Sequence, residues 1–386
     1  MTDIHILSGA RTAIGSFGGA LAATPPIDLA AHAARAALDR AGIAPTHVGT
    51  TVFGHVINTE PRDMYLSRVA AMQAGVPETV PAMNVNRLCG SGLQAIVSGA
   101  QSLLLGDADI ALVGGAECMS RSPYAVPAAR FGQKMGDARV VDMMLGALTC
   151  PFGTGHMGIT AENVALDHGI SRADQDAFAL ASQTRAAAAI ASCHFTAEIA
   201  PLEPAGRKGP TTFAQDEHPK ATSLEALSAL RPAFQKEGTV TAGNASGLND
   251  GAAALVLSKG WQKGARARIM GWAVAGVAPR VMGLGPIPAV QALCAKLGLR
   301  PQEFDLVESN EAFAAQALAV TRALGLDPNK VNPDGGAIAL GHPVGATGAI
   351  LMVKALHALE RRDLSTALVT MCIGGGQGIA AVFEKA

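Results

Sequence analysis

Asn84-Val-Asn-Arg-Leu-Cys-Gly-Ser-Gly-Leu-Gln-Ala-Ile-Val-Ser-Gly-Ala-Gln-Ser-Leu-Leu-Leu-Gly106, followed by Asp109-Ile-Ala-Leu-Val-Gly-Gly115, reads as strand, sharp turn, helix and strand. Apolar residues at 93, 96, 97, 100, 103 and 104 recur at helical spacing, and Gly106 is a C-terminal stop. Gly90 and Gly92 allow a tight turn and close backbone approach. The same order of events returns later in the chain. His342-Pro-Val-Gly-Ala-Thr-Gly348 opens an apolar helix, and the strand Ala367-Leu-Val-Thr-Met-Cys372 follows it. Cys89 and His342 stand 253 residues apart. A search for further repeats extends the match. Residues 28–45 read as an amphipathic helix ending Ala-Gly-Ile-Ala-Pro, and 288–301 as a helix ending Leu-Gly-Leu-Arg-Pro. Gly42 and Gly298, like Pro45 and Pro301, are 256 apart, and strand candidates 48–53 and 304–308 come next. One α/β unit is therefore present twice, with a chemistry-bearing residue at the same place in each copy.

Between the copies, over residues 119–248, the texture changes. Two polar helix candidates begin near Thr160 and near Ser171, the second with Asp174 in capping-box position. Helical periodicity of its own marks this stretch as an inserted loop domain rather than a linker. The expected division is a first half of 1–118 plus about 249–267, a loop domain 119–248 and a second half 268–386.

The 386 residues are 49% hydrophobic and only 16% charged, enough for a large core and for further surface buried against copies of the same chain. The formal net charge of −1 carries no basic stripe of the nucleic-acid-binding kind. Met1–Leu7 lacks the basic and apolar regions of a signal peptide. The apolar run Leu93–Val113 is interrupted by Gln101, Asp107 and Asp109, short of the roughly 20 residues that span a bilayer. The expected setting is the cytoplasm, without membrane or nucleic-acid partners. Six cysteines, none in C-x-x-C spacing, point to reduced thiols rather than a metal site or a disulfide framework.

Four segments carry candidate chemistry. Cys89 sits at or just before a helix N-terminus, where the dipole and free N–H groups favour thiolate; a buried core thiol is the common alternative for a free cysteine. His342, followed by Pro343, is held at a strand-to-helix turn as suits a general base, although a loop histidine that caps a helix has the same local sequence. Cys372 ends a strand before Gly374-Gly-Gly376, whose N–H groups suit a developing oxyanion, or simply a turn. Asn310, in Glu308-Ser-Asn-Glu-Ala-Phe-Ala314, is placed to hold a water or polarise a carbonyl, or to cap the next helix. Gly153-Thr-Gly-His-Met-Gly158 matches G-x-G-x-x-G, but no clear strand precedes it, so the dinucleotide reading fails its context test.

Together, Cys89-Gly-Ser-Gly, Asn310-Glu-Ala-Phe-Ala, Gly341-His-Pro-Val-Gly and Cys372-Ile-Gly-Gly-Gly resemble the four signature motifs of thiolases, in the family's order. The likeness runs through His156-Met-Gly and Thr241-Ala-Gly-Asn-Ala-Ser-Gly-Leu-Asn-Asp-Gly251 and covers the whole chain. It is nearest to the bacterial tetrameric type, and Asn58-Thr-Glu-Pro-Arg-Asp-Met-Tyr65 looks like the broad-specificity β-ketothiolases. The resemblance implies a duplicated thiolase fold, layered α/β/α/β/α, with an inserted loop domain, and a homotetramer. It implies CoA-thioester substrates (acetyl-CoA, short-chain acyl-CoA, 3-ketoacyl-CoA and CoA itself) with no cofactor and no metal.

By the same resemblance, Cys89 carries the acyl group and His342 takes its proton and helps to bind the thioester oxygen. Cys372 moves a proton at the α-carbon of the second acyl-CoA. Asn310 holds a water that forms one oxyanion hole with His342, and the N–H groups of Cys89 and Gly374 form the other. His156 and Ser246 match positions along the pantetheine; Leu148, Met157, Phe234, Met282 and Phe313 match an apolar acyl wall. Lys220 replaces an arginine that lies against the adenine in many relatives, which keeps a cation and loses planar stacking. Ser309 likewise departs from a small or apolar residue. Two other readings compete. A ketoacyl-synthase-like condensing enzyme normally has His or Asn where Cys372 stands, and a non-catalytic CoA-binding protein would lack one of Cys89, His342 and Cys372.

Overall fold

The structure is a computed structural model that describes residues 3–204 and 211–386, so the first two residues of the Met1–Leu7 segment lie outside it. The first half contains β1 (Ile4–Arg11), α1 (Pro26–Ala41), β2 (Thr50–Gly54), α2 (Leu66–Gln73), β3 (Ala82–Val85), α3 (Ser91–Leu105), β4 (Ile110–Cys118) and β5 (Asn249–Lys259). Between β4 and β5 lie α4 (Met157–Asp167) and α5 (Arg172–Ala191). The second half contains β6 (Ala267–Gly276), α6 (Pro286–Leu297), β7 (Leu306–Ser309), α7 (Ala314–Leu324), α8 (Thr347–Arg362), β8 (Thr366–Ile373) and β9 (Gln377–Lys385).

The duplication holds at the level of topology. Strand order is β3-β2-β4-β5-β1 in the first half and, mirrored, β7-β8-β9-β6 in the second, with Val331 adding a parallel bridge outside β7. A short antiparallel ladder between β1 and β6, Ile4 to Ile269 through Ile6 to Ala267, joins the halves into one continuous sheet. The core still divides into layers. Ala367 and Val369 of β8 face a central layer built on α3 and α8, while Leu368 faces α6 and α7 on the outside. Val52 and Phe53 of β2 divide in the same way between the central layer and α1 with α2. Burial on both faces explains why β4 and β8 read as apolar runs without alternation.

The central helices meet near their N-termini. A Cβ on Gly92 would lie 2.7 Å from Ala349 N, and one on Gly348 would lie 2.3 Å from Leu93 N. Only glycine at both positions allows this approach, which brings the turns before α3 and α8 together. Residues Leu88–Leu105 have the length and hydropathy of a membrane span, but Leu93, Ile96 and Leu103 are packed between the sheet halves.

Helix ends follow local chemistry. The first amphipathic helix stops at Ala41 because Gly42 turns left-handed (φ 64°), and α6 stops at Leu297 before Gly298 (φ 69°), so both tails read as helical lie beyond the last turn. The Ser171–Asp174 capping box forms in full. The helix expected near Thr160 starts at Met157, where His156 is the cap.

Candidate active site

Cys89 lies in the turn between β3 and α3. Leu88 before it has φ 47°, a left-handed conformation that costs a non-glycine residue about 1–2 kcal/mol. Side chains hold the turn closed: Leu88 N–H donates to Asn86 Oδ1 (3.0 Å), Arg87 N–H to Ser91 Oγ (2.8 Å), and Ser91 Oγ to Leu88 O (2.6 Å). The helix cap is Gly90, so the thiol stands one residue ahead of the helix end. Burial nevertheless pushes the Cys89 thiol up to about 11; hydrogen bonds from Gly374 and from its own backbone oppose this, and Glu117 adds to it. Desolvation thus opposes the helix end, and a thiol kept protonated needs a base for attack.

His342 supplies an imidazole in the right state. Thr347 Oγ1 donates to Pro343 O (2.9 Å) and so accepts from His342 Nδ1, 2.7 Å away. The proton therefore sits on Nδ1, leaving Nε2 as the free base. Burial pushes this histidine down to about 4, which keeps it neutral near pH 7. Its backbone N–H donates to Asn249 Oδ1 (2.9 Å), whose Nδ2 donates to Gly15 O (3.0 Å), so β5 anchors the loop. Asn310 follows β7 and does not cap α7, whose cap is Phe313. It is fully buried, with Nδ2 3.5 Å from His342 Nε2 and Oδ1 without a partner among the described residues. Cys372 is the penultimate residue of β8, fully buried; burial first, and then Cys89, pushes its thiol above the ordinary range.

Cys89, His342, Cys372 and Gly374 line one cavity of about 420 Å³. So do Leu148, His156, Met157, Lys220, Phe234, Ser246, Met282 and Phe313, whereas Asn310 stands behind His342 and is not part of the wall. His156 and Phe234 stack with centroids 4.8 Å apart, and Phe234 meets Phe313 edge-on at 6.1 Å. Gly158 is required by this packing: a Cβ there would lie 2.3 Å from the Phe234 ring. His156 Nδ1 accepts from Gly158 N–H (3.0 Å), so the Gly153–Gly158 glycines serve this turn and not a phosphate loop. Ser246 Oγ donates to Ala312 O (3.1 Å). Ser309 is buried, with N–H and C=O both bonded to Asn332, and nothing in the structure explains its hydroxyl. Sequence reasoning missed His218, Val56, Met119, Met144 and Val344, which also line the cavity. His218 is two residues from Lys220 and was open to the same argument; burial, then the Lys220 charge, pushes it down to about 4. Val344 lies within the Gly341-His-Pro-Val-Gly motif itself, and Val56, Met119 and Met144 come from segments with no motif.

The description "Thiolase, N-terminal domain" matches residues 4–260 and "Thiolase, C-terminal domain" residues 263–385. The chain belongs to the thiolase family. Among thiolases it is 57% identical to beta-ketothiolase BktB of Cupriavidus necator, over 99% of both chains. It is 51% identical to acetyl-CoA acetyltransferase of Escherichia coli over the full length of both. The human mitochondrial 3-ketoacyl-CoA thiolase in complex with CoA superposes with a TM-score of 0.96 at 42% identity, covering 100% of this chain and 98% of that one. The duplicated fold and the acyltransferase class expected from the motifs are those of this family.

Proposed function

We propose that this thiolase joins acetyl-CoA to a short acyl-CoA, and cleaves short 3-ketoacyl-CoAs with CoA, through an acyl group carried on Cys89. The convergence of two thiols and a neutral imidazole in one apolar cavity carries the reading. Cys89 Sγ attacks the thioester carbonyl while His342 Nε2 takes the thiol proton. The N–H groups of Cys89 and Gly374 stabilise the oxyanion. Collapse breaks the bond to CoA sulfur, which takes the proton of Cys372. The Cys372 thiolate then removes an α-proton from the second thioester. Protonated His342, with a water held at Asn310, stabilises the enolate oxygen. The enolate carbon attacks the acyl carbonyl, and departing Cys89 recovers the proton from His342. High proton affinity suits the Cys372 thiolate to taking the proton from carbon.

CoA lies along His156, Ser246 and Lys220, with the acyl group against Leu148, Met157, Phe234, Met282 and Phe313, and no cofactor takes part. The enzyme works in the cytoplasm as a homotetramer; Phe131 (92% exposed) and Met135 (89% exposed) offer apolar surface on the inserted segment. Bulky side chains shorten the acyl pocket, and two methionines can repack around an extra methylene, worth about 0.8 kcal/mol. Thiolysis of C4 to about C6 substrates should therefore proceed with kcat/KM within roughly tenfold, and longer chains should fall away steeply. A C4–C16 panel tests this, read from loss of the magnesium-enolate absorbance on adding CoA. A C10–C16 optimum overturns the short-pocket reading, and no thiolysis at all overturns the activity.

A further inference from the structure

Glu117, the penultimate residue of β4, is fully buried, and the reaction above gives it no part. Its Oε2 accepts from Val56 N–H (3.0 Å) and Gly345 N–H (2.9 Å), and its Oε1 from Ile57 N–H (3.1 Å). Val56 and Ile57 follow β2, whereas Gly345 belongs to the His342 loop, so one carboxylate ties a loop of the first half to the base of the second. His55 lies beside it, with Nδ1 2.9 Å from Ala116 O and 3.4 Å from Glu117 Oε1. His55 Nε2 has no partner among the described residues and stands 3.9 Å from Asp63 Oδ2. Asp63 Oδ2 accepts from Thr59 N–H (2.6 Å), Thr59 Oγ1 (2.8 Å) and Glu60 N–H (3.1 Å), while Oδ1 has no partner among the described residues. Asp63, His55 and Glu117 thus form a buried row that ends on the loop of His342.

The duplication gives this row a counterpart. His55 follows β2 as Asn310 follows β7, 255 residues on, and Cys118 is the last residue of β4 as Cys372 is the last but one of β8, 254 residues on.

We propose that Glu117 is a positioning residue for the catalytic pair: it holds Gly345 N–H of the His342 loop on one side and, on the other, the N–H of Val56, whose C=O accepts from Asn86 Nδ2 of the Cys89 turn (3.3 Å). Its carboxylate is also a minor cause, after desolvation, of the raised Cys89 thiol. Other ionisable groups of the neighbouring segments are Arg87 before the Cys89 turn, His342 itself, and Asp250 on β5, which accepts from Ser120 Oγ (2.5 Å).

The inference rests on the proposed roles of Cys89 and His342. The test compares Glu117→Gln with the unmodified enzyme by acetylation of Cys89 from acetyl-CoA and by its alkylation with iodoacetamide across pH. An amide keeps an oxygen for Val56 and Gly345 but loses the charge and opposes Ile57 N–H. The expected result is a folded protein whose acetylation rate falls about tenfold or more with little change in KM, and whose alkylation midpoint moves to lower pH. Glu117→Asp keeps the charge but draws the carboxylate back from Gly345 N–H, and should slow acetylation without moving that midpoint to lower pH. A midpoint that falls with Gln and not with Asp is a signature that loss of packing does not produce. A folded Glu117→Gln with unchanged acetylation and alkylation profiles overturns the proposal. If that variant does not fold, a Glu117→Asp enzyme with unchanged acetylation does so. Absence of acetyl-Cys89 in the unmodified enzyme would instead count against the assigned mechanism itself.

Discussion

At the residue scale, Cys89 and His342 are both neutral at rest, the thiol pushed up to about 11 and the imidazole down to about 4. Protonating His342 removes the base, so acetylation is lost as pH falls through the lowered value, not through the ordinary 6.5. The acetylation rate, read by quench and mass spectrometry, should be flat from about pH 5.5 to 9; a step near 6.5 would show an ordinary imidazole. The two thiols should also separate. Cys372→Ser should still accept an acetyl group on Cys89 while losing condensation by at least about a hundredfold, since only the α-proton step needs that sulfur as a base. His342→Ala should slow both half-reactions. Equal loss of acetylation in the two variants would contradict the division. Residue types in order were enough to nominate these three side chains. Their charge states were not legible, because desolvation depends on neighbours from both halves of the chain.

At the element scale, helix starts and stops were the most readable features. Ser171 and Asp174 exchange side-chain-to-backbone hydrogen bonds, with Ser171 Oγ accepting from Asp174 N–H at 3.1 Å. Ser171→Ala should lower the free energy of unfolding by about 1 kcal/mol, measured in urea, with activity retained. A loss above about 3 kcal/mol would mean that Ser171 does more than cap. Gly42, Gly106 and Gly298 stop their helices because they accept left-handed backbone, a property of the residue itself. The crossing of α3 and α8 was a different matter. Gly92 was read as allowing a tight turn and close backbone approach, and only the packed helices show that the approaching backbone is that of α8, where Gly348 makes the same room in return.

At the scale of the whole molecule, Phe131, Met135 and Val140 lie exposed on the inserted segment, Met64 and Tyr65 beside α2, and Met83 on edge strand β3. Apolar surface of this kind marks contacts with other chains. Sedimentation at micromolar concentration should give the mass of four 39.2 kDa chains. Replacing both Phe131 and Met135 by Ser should yield a smaller species with its fold intact; a monomer in the unmodified protein would refute the tetramer.

The sequence by itself determined that an α/β unit occurs twice and that glycines stop its helices, and its motif order nominated two of the six cysteines for the chemistry. Periodicity, capping and motif order are properties of short segments and survive without coordinates. The β1–β6 ladder that fuses the sheet halves, the place of His218 in the cavity and the link from Glu117 to Gly345 were decided only by the tertiary structure. Each joins residues far apart in the chain, and each depends on burial and on hydrogen-bond partners that exist only once the two halves pack together.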